Sequence, residues 1–176
     1  MSEGLILQQR LAKDEFFEYD DHSPLNDAQK TEFTGLSYYP YNPALALVVD
    51  VTPIENTPTT QIMTTKDTIR NYQRYATFTF AVDGQPVTLT IYQTPHGFFL
   101  PFVDANAGKE TYPAGRYIDP VRLPDGRFVV DFNTAYNPYC AYNDRYECPL
   151  TPAENRISVP ILAGEKIPTG DWIELK

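Results

Sequence analysis

The chain has 176 residues, 42% of them hydrophobic and 14% aromatic, enough apolar material for one packed domain and too much for a disordered chain. Its formal net charge of −9, from 23 acidic and 14 basic residues, repels phosphate backbones and anionic lipid, so neither nucleic acid nor a membrane is expected as a partner. Thirteen tyrosines suit half-buried sheets and wet pockets.

The N-terminal stretch "MSEGLILQQRLAKDEFFEYD" has no basic start followed by a long apolar run, so it does not read as a secretory signal. No segment approaches the roughly 18 consecutive apolar residues of a membrane span. The expectation is a cytoplasmic protein with both cysteines reduced. Leu5, Ile6, Leu7, Leu11, Phe16 and Phe17 mark an amphipathic helix capped by Ser2. Asn26 caps a second, short helix that ends near Phe33, and Gly35 stops it.

Beyond Gly35 the apolar period becomes two. "ALALVVDV" (44–51) reads as a buried strand. "RYATFTFAV" (74–82) and "PVTLTIYQ" (86–93) flank "DGQ" and form a hairpin turning at Asp83-Gly84. "GFFLPFVD" (97–104) reads as an edge strand because of Pro101. "GRYIDPV" (115–121) and "GRFVVDFN" (126–133) flank the turn "LPDG", and "RISVPILA" (156–163) is the last strand. The class that follows is mainly β: an antiparallel β-sandwich or a partly closed barrel with an N-terminal helix and a second short helix. Residues 1–176 form a single domain in this reading, with a helical segment (1–34) on a β core (36–166) and a C-terminal tail (167–176).

Two polar clusters are candidates for chemistry. The first, "DFNTAYNPYCAYNDRYECPLTPAEN" (131–155), holds two cysteines, four tyrosines, four asparagines and three prolines. Asp131 and Asn133 end a strand pattern with their side chains on one face. Such a loop is either tied down by its own amide and carboxylate groups or holds those groups for a ligand. Seven residues separate Cys140 from Cys148, which is neither a redox C-x-x-C nor a zinc-ribbon spacing. Packed thiols are the leading reading. A disulfide, a catalytic thiol, or a metal site needing two further ligands remain alternatives. The second cluster is "PFVDANAGKETYPAGRYIDP" (101–120), where a reversal at Pro113 and Gly115 lets Glu110 pair with Arg116. Glu154 is placed to pair with Arg116, Arg145 or Arg156. Glu165, in the turn "AGEK", reads as a solvated carboxylate, and His22 beside Asp20 and Asp21 as a solvated cap. Phosphate-loop, dinucleotide, metalloprotease and nucleophile-elbow motifs are absent from the sequence.

"KDEFF" (13–17), "SPL" (23–25), "FTGLSYYP" (33–40), "PFVDANAGKETYPAGRYID" (101–119), "DFNTAYNPYCAY" (131–142), "CPLTPAEN" (148–155) and "AGEK" (163–166) together resemble a prokaryotic family known only as a domain of unknown function, DUF sixteen-eighty-four. Asn106 stands where that family's pattern usually has Thr. The resemblance implies no activity, substrate or catalytic residue. It implies only that the two clusters belong to one domain.

Three functions stay open on the residues. A binding domain would hold a small polar or anionic ligand with Arg116, Asn133, Tyr136, Asn137, Tyr142, Glu154 and Asn155. A structural domain would use the loop as a brace or as the contact of a homo-oligomer. A hydrolase-like enzyme would use Asp104, Glu110 or Asp131 as its base. No cofactor is expected; a metal at Cys140 and Cys148 would need two further ligands, for which His22 and His96 are available but distant in sequence.

Overall fold

The computed structural model describes residues 1–56, 59–170 and 173. Helix α1 spans Glu3–Tyr19, and the Ser2 hydroxyl accepts from the Leu5 N–H at 3.5 Å. Helix α2, Asp27–Glu32, starts in a capping box in which Asn26 and Gln29 exchange side-chain-to-backbone bonds. The inward stripe of α1 is Ile6, Arg10, Lys13 and Phe17, one residue per turn, with two cations in its middle. Leu5, Leu7 and Leu11, expected to mark the apolar face, are exposed. The apolar run is denser there, but the 3.6-residue period puts it on the solvent side.

Nine strands follow among the described residues: β1 (Ala46–Val49), β2 (Thr52–Pro53), β3 (Thr60–Met63), β4 (Ile69–Val82), β5 (Gln85–Thr94), β6 (Gly97–Phe102), β7 (Arg116–Ile118), β8 (Val121–Arg122) and β9 (Phe128–Asp131). All strand pairings are antiparallel. One sheet has the order β2-β4-β5-β6-β7, with β3 also on β4, and the other has the order β1-β9-β8. Neither closes into a barrel among the described residues. A bulge between Arg74 and Ala76 divides β4, so β3 pairs with its first half and β2 with its second. β4 and β5 meet at the two-residue turn Asp83-Gly84, both with positive φ (48° and 78°), as a tight hairpin requires.

Phe78, Leu89 and Ile91 of the larger sheet and Phe128 and Val130 of the smaller one share a single core with Phe102, Phe132 and Ile161. The opposite face of the larger sheet carries a second cluster, Ile62, Tyr92, Phe99 and Tyr117. Phe17, Leu25 and Phe33 of the helical segment pack on Ala141 and Tyr142 of the 131–155 loop. Half of the expected tail, residues 171, 172 and 174–176, lies outside the described residues.

Two expectations about strands are corrected. β6 is an interior strand, paired with both β5 and β7, and Pro101 lies inside it. Its register on β5 would set Pro101 opposite Thr90, where the proline has no N–H to donate. The Asn155 side chain fills that gap. Its Oδ1 accepts from the Thr90 N–H at 2.8 Å, and its Nδ2 donates to the Thr90 and Pro101 carbonyls at 2.8 and 2.7 Å. Residues 156–163, expected as a strand, pair with other main chain only up to Val159, through Val103 and Ala105 and one bridge at Arg156. Pro160 interrupts the segment, and beyond it the carbonyls of Ile161 and Ala163 are claimed by a side chain instead, as described next.

Candidate functional site

Arg116 is the largest fully buried side chain, and it points from β7 into the segment 161–165. Its Nη1 donates to the carbonyls of Ala163 and Glu165 at 2.5 and 2.9 Å, and its Nη2 to that of Ile161 at 3.0 Å. A planar fork of donors thus replaces a neighbouring strand. Asp104 lies 3.7 Å from Nη2 as the counter-charge. Burial lowers the Arg116 pKa and Asp104 opposes the shift. Asp104 also accepts from the Thr111 hydroxyl at 2.6 Å and from the Ile161 N–H at 2.9 Å. Glu110, expected to pair with Arg116, instead faces Lys166 at 3.3 Å with half its side chain exposed. Glu154 pairs with Arg74 at 3.2 Å and accepts from the Tyr92 hydroxyl at 2.7 Å, not with any of the three arginines expected. In each case the partner comes from a strand or turn remote in sequence.

Glu165 overturns the expectation of a solvated turn. It is 1% exposed, and its carboxylate joins the helix, the loop and the C-terminal segment. Lys13 of α1 donates to Oε1, while the Asn137 N–H (2.7 Å) and the Tyr142 hydroxyl (3.0 Å) donate to Oε2. Asn137 Nδ2 adds bonds to the Tyr142 hydroxyl and the Lys166 carbonyl at 3.3 and 2.8 Å. The two sequence clusters therefore meet through Glu165: Arg116 holds its main chain and the cysteine loop holds its side chain.

The remaining predicted residues serve similar ends. Asp131 accepts from the Met1 amino terminus at 2.7 Å and from the Asn133 N–H and side-chain amide at 3.0 and 2.9 Å. Asn133 also exchanges two bonds with the Asn42 backbone. Asp104, Glu110 and Asp131 are each bonded to different partners. His22 is exposed and bonded to Asp20, as expected of a solvated cap.

The largest concavity near the cysteine loop is a groove of about 600 Å³ on the outer face of the larger sheet. Tyr72 of β4, Phe99 of β6 and Tyr117 of β7 line it together with Tyr136, Tyr139 and Tyr146 of the loop, Tyr136 pairing with Tyr117 in an antiparallel bridge. Tyr72 and Phe99 stack at 5.5 Å, and Tyr139 and Tyr146 meet edge-on at 5.1 Å. Burial raises the pKa of the Tyr72, Tyr117, Tyr136 and Tyr139 hydroxyls, so all four stay neutral at physiological pH. Lys13, Arg70, Glu147, Cys148 and two prolines, Pro138 and Pro149, complete the lining. A second cavity of about 390 Å³ involves Gln29, Tyr112, Cys140 and Tyr142, and a third of about 150 Å³ involves Arg10, Tyr38, Asn133, Tyr136 and Glu165. Of the residues predicted to bind ligand, Tyr136 alone reaches the groove. Arg116, Asn137, Glu154 and Asn155 line none of the three cavities.

Sequence reasoning missed Lys13, Arg70, Tyr72 and Glu165. Lys13 and Glu165 stand in "KDEFF" and "AGEK", two of the runs that carry the family resemblance. Arg70 and Tyr72 share a strand face at i, i+2, but the strand was expected to begin only at Arg74. Among the described residues no helix is long and apolar enough to cross a membrane, and no three His, Cys, Asp or Glu side chains converge.

No curated protein matches the chain. An uncharacterized protein of Haloarcula marismortui, solved in solution by NMR, is similar at 34% identity over 93% of both chains, with a TM-score of 0.69. The profile of the family described as "Protein of unknown function (DUF1684)" matches residues 31–166, a span that contains Arg116, both cysteines and Glu165. The chain belongs to that family.

Proposed function

We propose that this protein is a binding domain of the cytoplasm whose groove takes a small planar organic anion, an aromatic carboxylate. The observation that carries this is the lining: six aromatic rings with two cations beside them, Lys13, which is paired with the buried Glu165, and Arg70, 3.9 Å from Glu147, in a protein that is acidic as a whole. Rings face a planar ligand at little entropic cost, and a cation beside them fixes its charged end. Lys13 Nζ lies 5.3 Å from the Tyr136 ring centre. Arg70 is half-exposed, with Nη2 on the Glu147 carbonyl at 3.2 Å, so it can turn to a ligand without unfolding a strand. Free thiols at both cysteines suit a reducing compartment.

The bracing reading is favoured for a different set of residues. Arg116, Asp104, Asn133 and Asn155 satisfy main-chain groups and each other, so they support the groove from behind rather than line it. The test is thermal-shift and NMR titration of the protein with benzoate, indole-3-acetate, benzamide and acetate. The two aromatic carboxylates are expected to raise Tm and perturb Tyr72 and Tyr139, with the effect lost in Tyr72→Ala. An equal response to acetate, or none to any of the four, would refute the assignment.

A further inference from the structure

The groove also holds a cysteine that binding does not require. Cys148 is 7% exposed and lines the groove, and its main chain is clamped on both sides to the turn between β3 and β4. Its N–H donates to the Thr65 hydroxyl at 3.1 Å, and its carbonyl accepts from the Thr65 N–H at 2.9 Å. Cys140 sits on the 3-10 turn Tyr139–Ala141, and its N–H donates to the Cys148 sulfur at 3.4 Å. The Tyr112 hydroxyl lies 3.9 Å from the Cys140 sulfur. The two cysteines are thus in contact through the Cys140 N–H, one anchored in the groove and the other on a short turn with no side-chain cap.

We propose that Cys148 is a hydroperoxide-reactive thiolate and that Cys140 resolves its oxidised form to an intrachain disulfide. Hydrogen bonding from Cys140, by its thiol and by its N–H at 3.4 Å, lowers the Cys148 pKa below the usual thiol value against the effect of burial, helped by Arg70. The same hydrogen bond raises the Cys140 pKa, so only one of the two sulfurs is nucleophilic at a time. The first step is attack of the Cys148 thiolate on a peroxide oxygen. The O–O bond breaks, the alkoxide leaves and takes a proton as the alcohol, and Cys148 becomes a sulfenic acid. That oxidation removes the negative charge that held the Cys140 proton. The Cys140 sulfur then attacks the Cys148 sulfur, hydroxide departs with the Cys140 proton as water, and the S–S bond forms. In sum, two thiols and one hydroperoxide give a disulfide, an alcohol and water.

The short turn that carries Cys140 already holds its main chain against the Cys148 sulfur, so the two residues start as neighbours. Cys148 also shares the groove with the ligand proposed above, but the two assignments fail separately. Thiol chemistry needs no bound carboxylate, and titration with the carboxylates needs no oxidant.

The experiment exposes the full chain to tert-butyl hydroperoxide and maps its peptides by mass spectrometry without reduction. The expected product is a Cys140–Cys148 cross-linked peptide that has lost two hydrogens. Cys140→Ser should stop at a Cys148 sulfenic acid that dimedone traps, and Cys148→Ser should keep Cys140 as a thiol under the same exposure. In the unmodified protein iodoacetamide should label Cys148 at least about tenfold faster than Cys140. Survival of both thiols in the unmodified protein, cross-links only between chains, or equal labelling of the two cysteines would each overturn the proposal.

Discussion

Arg116 donates to the main-chain oxygen of Glu165 at 2.9 Å, while the carboxylate of that same Glu165 is held by Lys13, Asn137 and Tyr142. One residue of an irregular segment therefore joins the sheet, the first helix and the cysteine loop. Substituting Arg116 with Ala strips donors from three buried carbonyls and leaves Asp104 without its counter-charge. The expected loss is about 3–5 kcal/mol in urea unfolding. Arg116→Lys should recover only part of it, because an ammonium cannot span three carbonyls as a planar fork does. Near-native unfolding of Arg116→Ala would remove the bracing role.

Asn155 completes the β5–β6 ladder where Pro101 cannot. Asn155→Ala leaves the Thr90 N–H and the Thr90 and Pro101 carbonyls buried without partners, which should cost about 3 kcal/mol or more. Asn155→Asp should be worse, since it faces a carboxylate towards two carbonyls. Guanidinium unfolding midpoints in the order native, Ala, Asp would agree with this.

Gly84 and Gly164 have nearly identical φ, 78° and 77°, but different surroundings. A methyl on Gly84 meets nothing within 4 Å, whereas one on Gly164 would lie 2.7 Å from Ala135 Cβ and 2.8 Å from the Phe132 carbonyl. Gly84→Ala should therefore show only the backbone penalty of about 1–2 kcal/mol. Gly164→Ala should lose about 3 kcal/mol or more, because overpacking adds to that penalty. Paired thermal melts would test the difference, and equal losses would contradict it.

Asp14 accepts from the Leu36 N–H at 3.0 Å, but burial raises its pKa above the usual carboxylate value, with Glu165 and Glu18 adding to the shift. A raised carboxylate pKa means the folded state disfavours the charge. Its contribution to stability is then lost as pH rises from the unfolded value, near about 3.9, through the folded one. Asp14→Asn keeps an acceptor for Leu36 and has no charge to bury. The variant should gain on the native protein between acid and neutral pH, by no more than about 1 kcal/mol because the group is only half-buried. Melting both proteins at the two ends of that range gives the sign.

What the residues announced by themselves was local. The caps at Ser2 and Asn26, the hairpin at Asp83-Gly84, the β class and the family follow from contacts a few residues apart or from contiguous motifs, where spacing alone decides geometry. The placement of the polar groups was settled by tertiary structure. A carboxylate in "AGEK" has the signature of a solvated turn until a lysine 152 residues away donates to it. A proline reads as an edge signal until Asn155, 54 residues on, supplies the missing donor. The stretch 156–163 has the period of a strand, yet beyond Pro160 Arg116 takes the carbonyls that a partner strand would use. Hydrogen-bonding capacity is written in each residue type, but which groups satisfy it depends on which distant segments the shared core brings together.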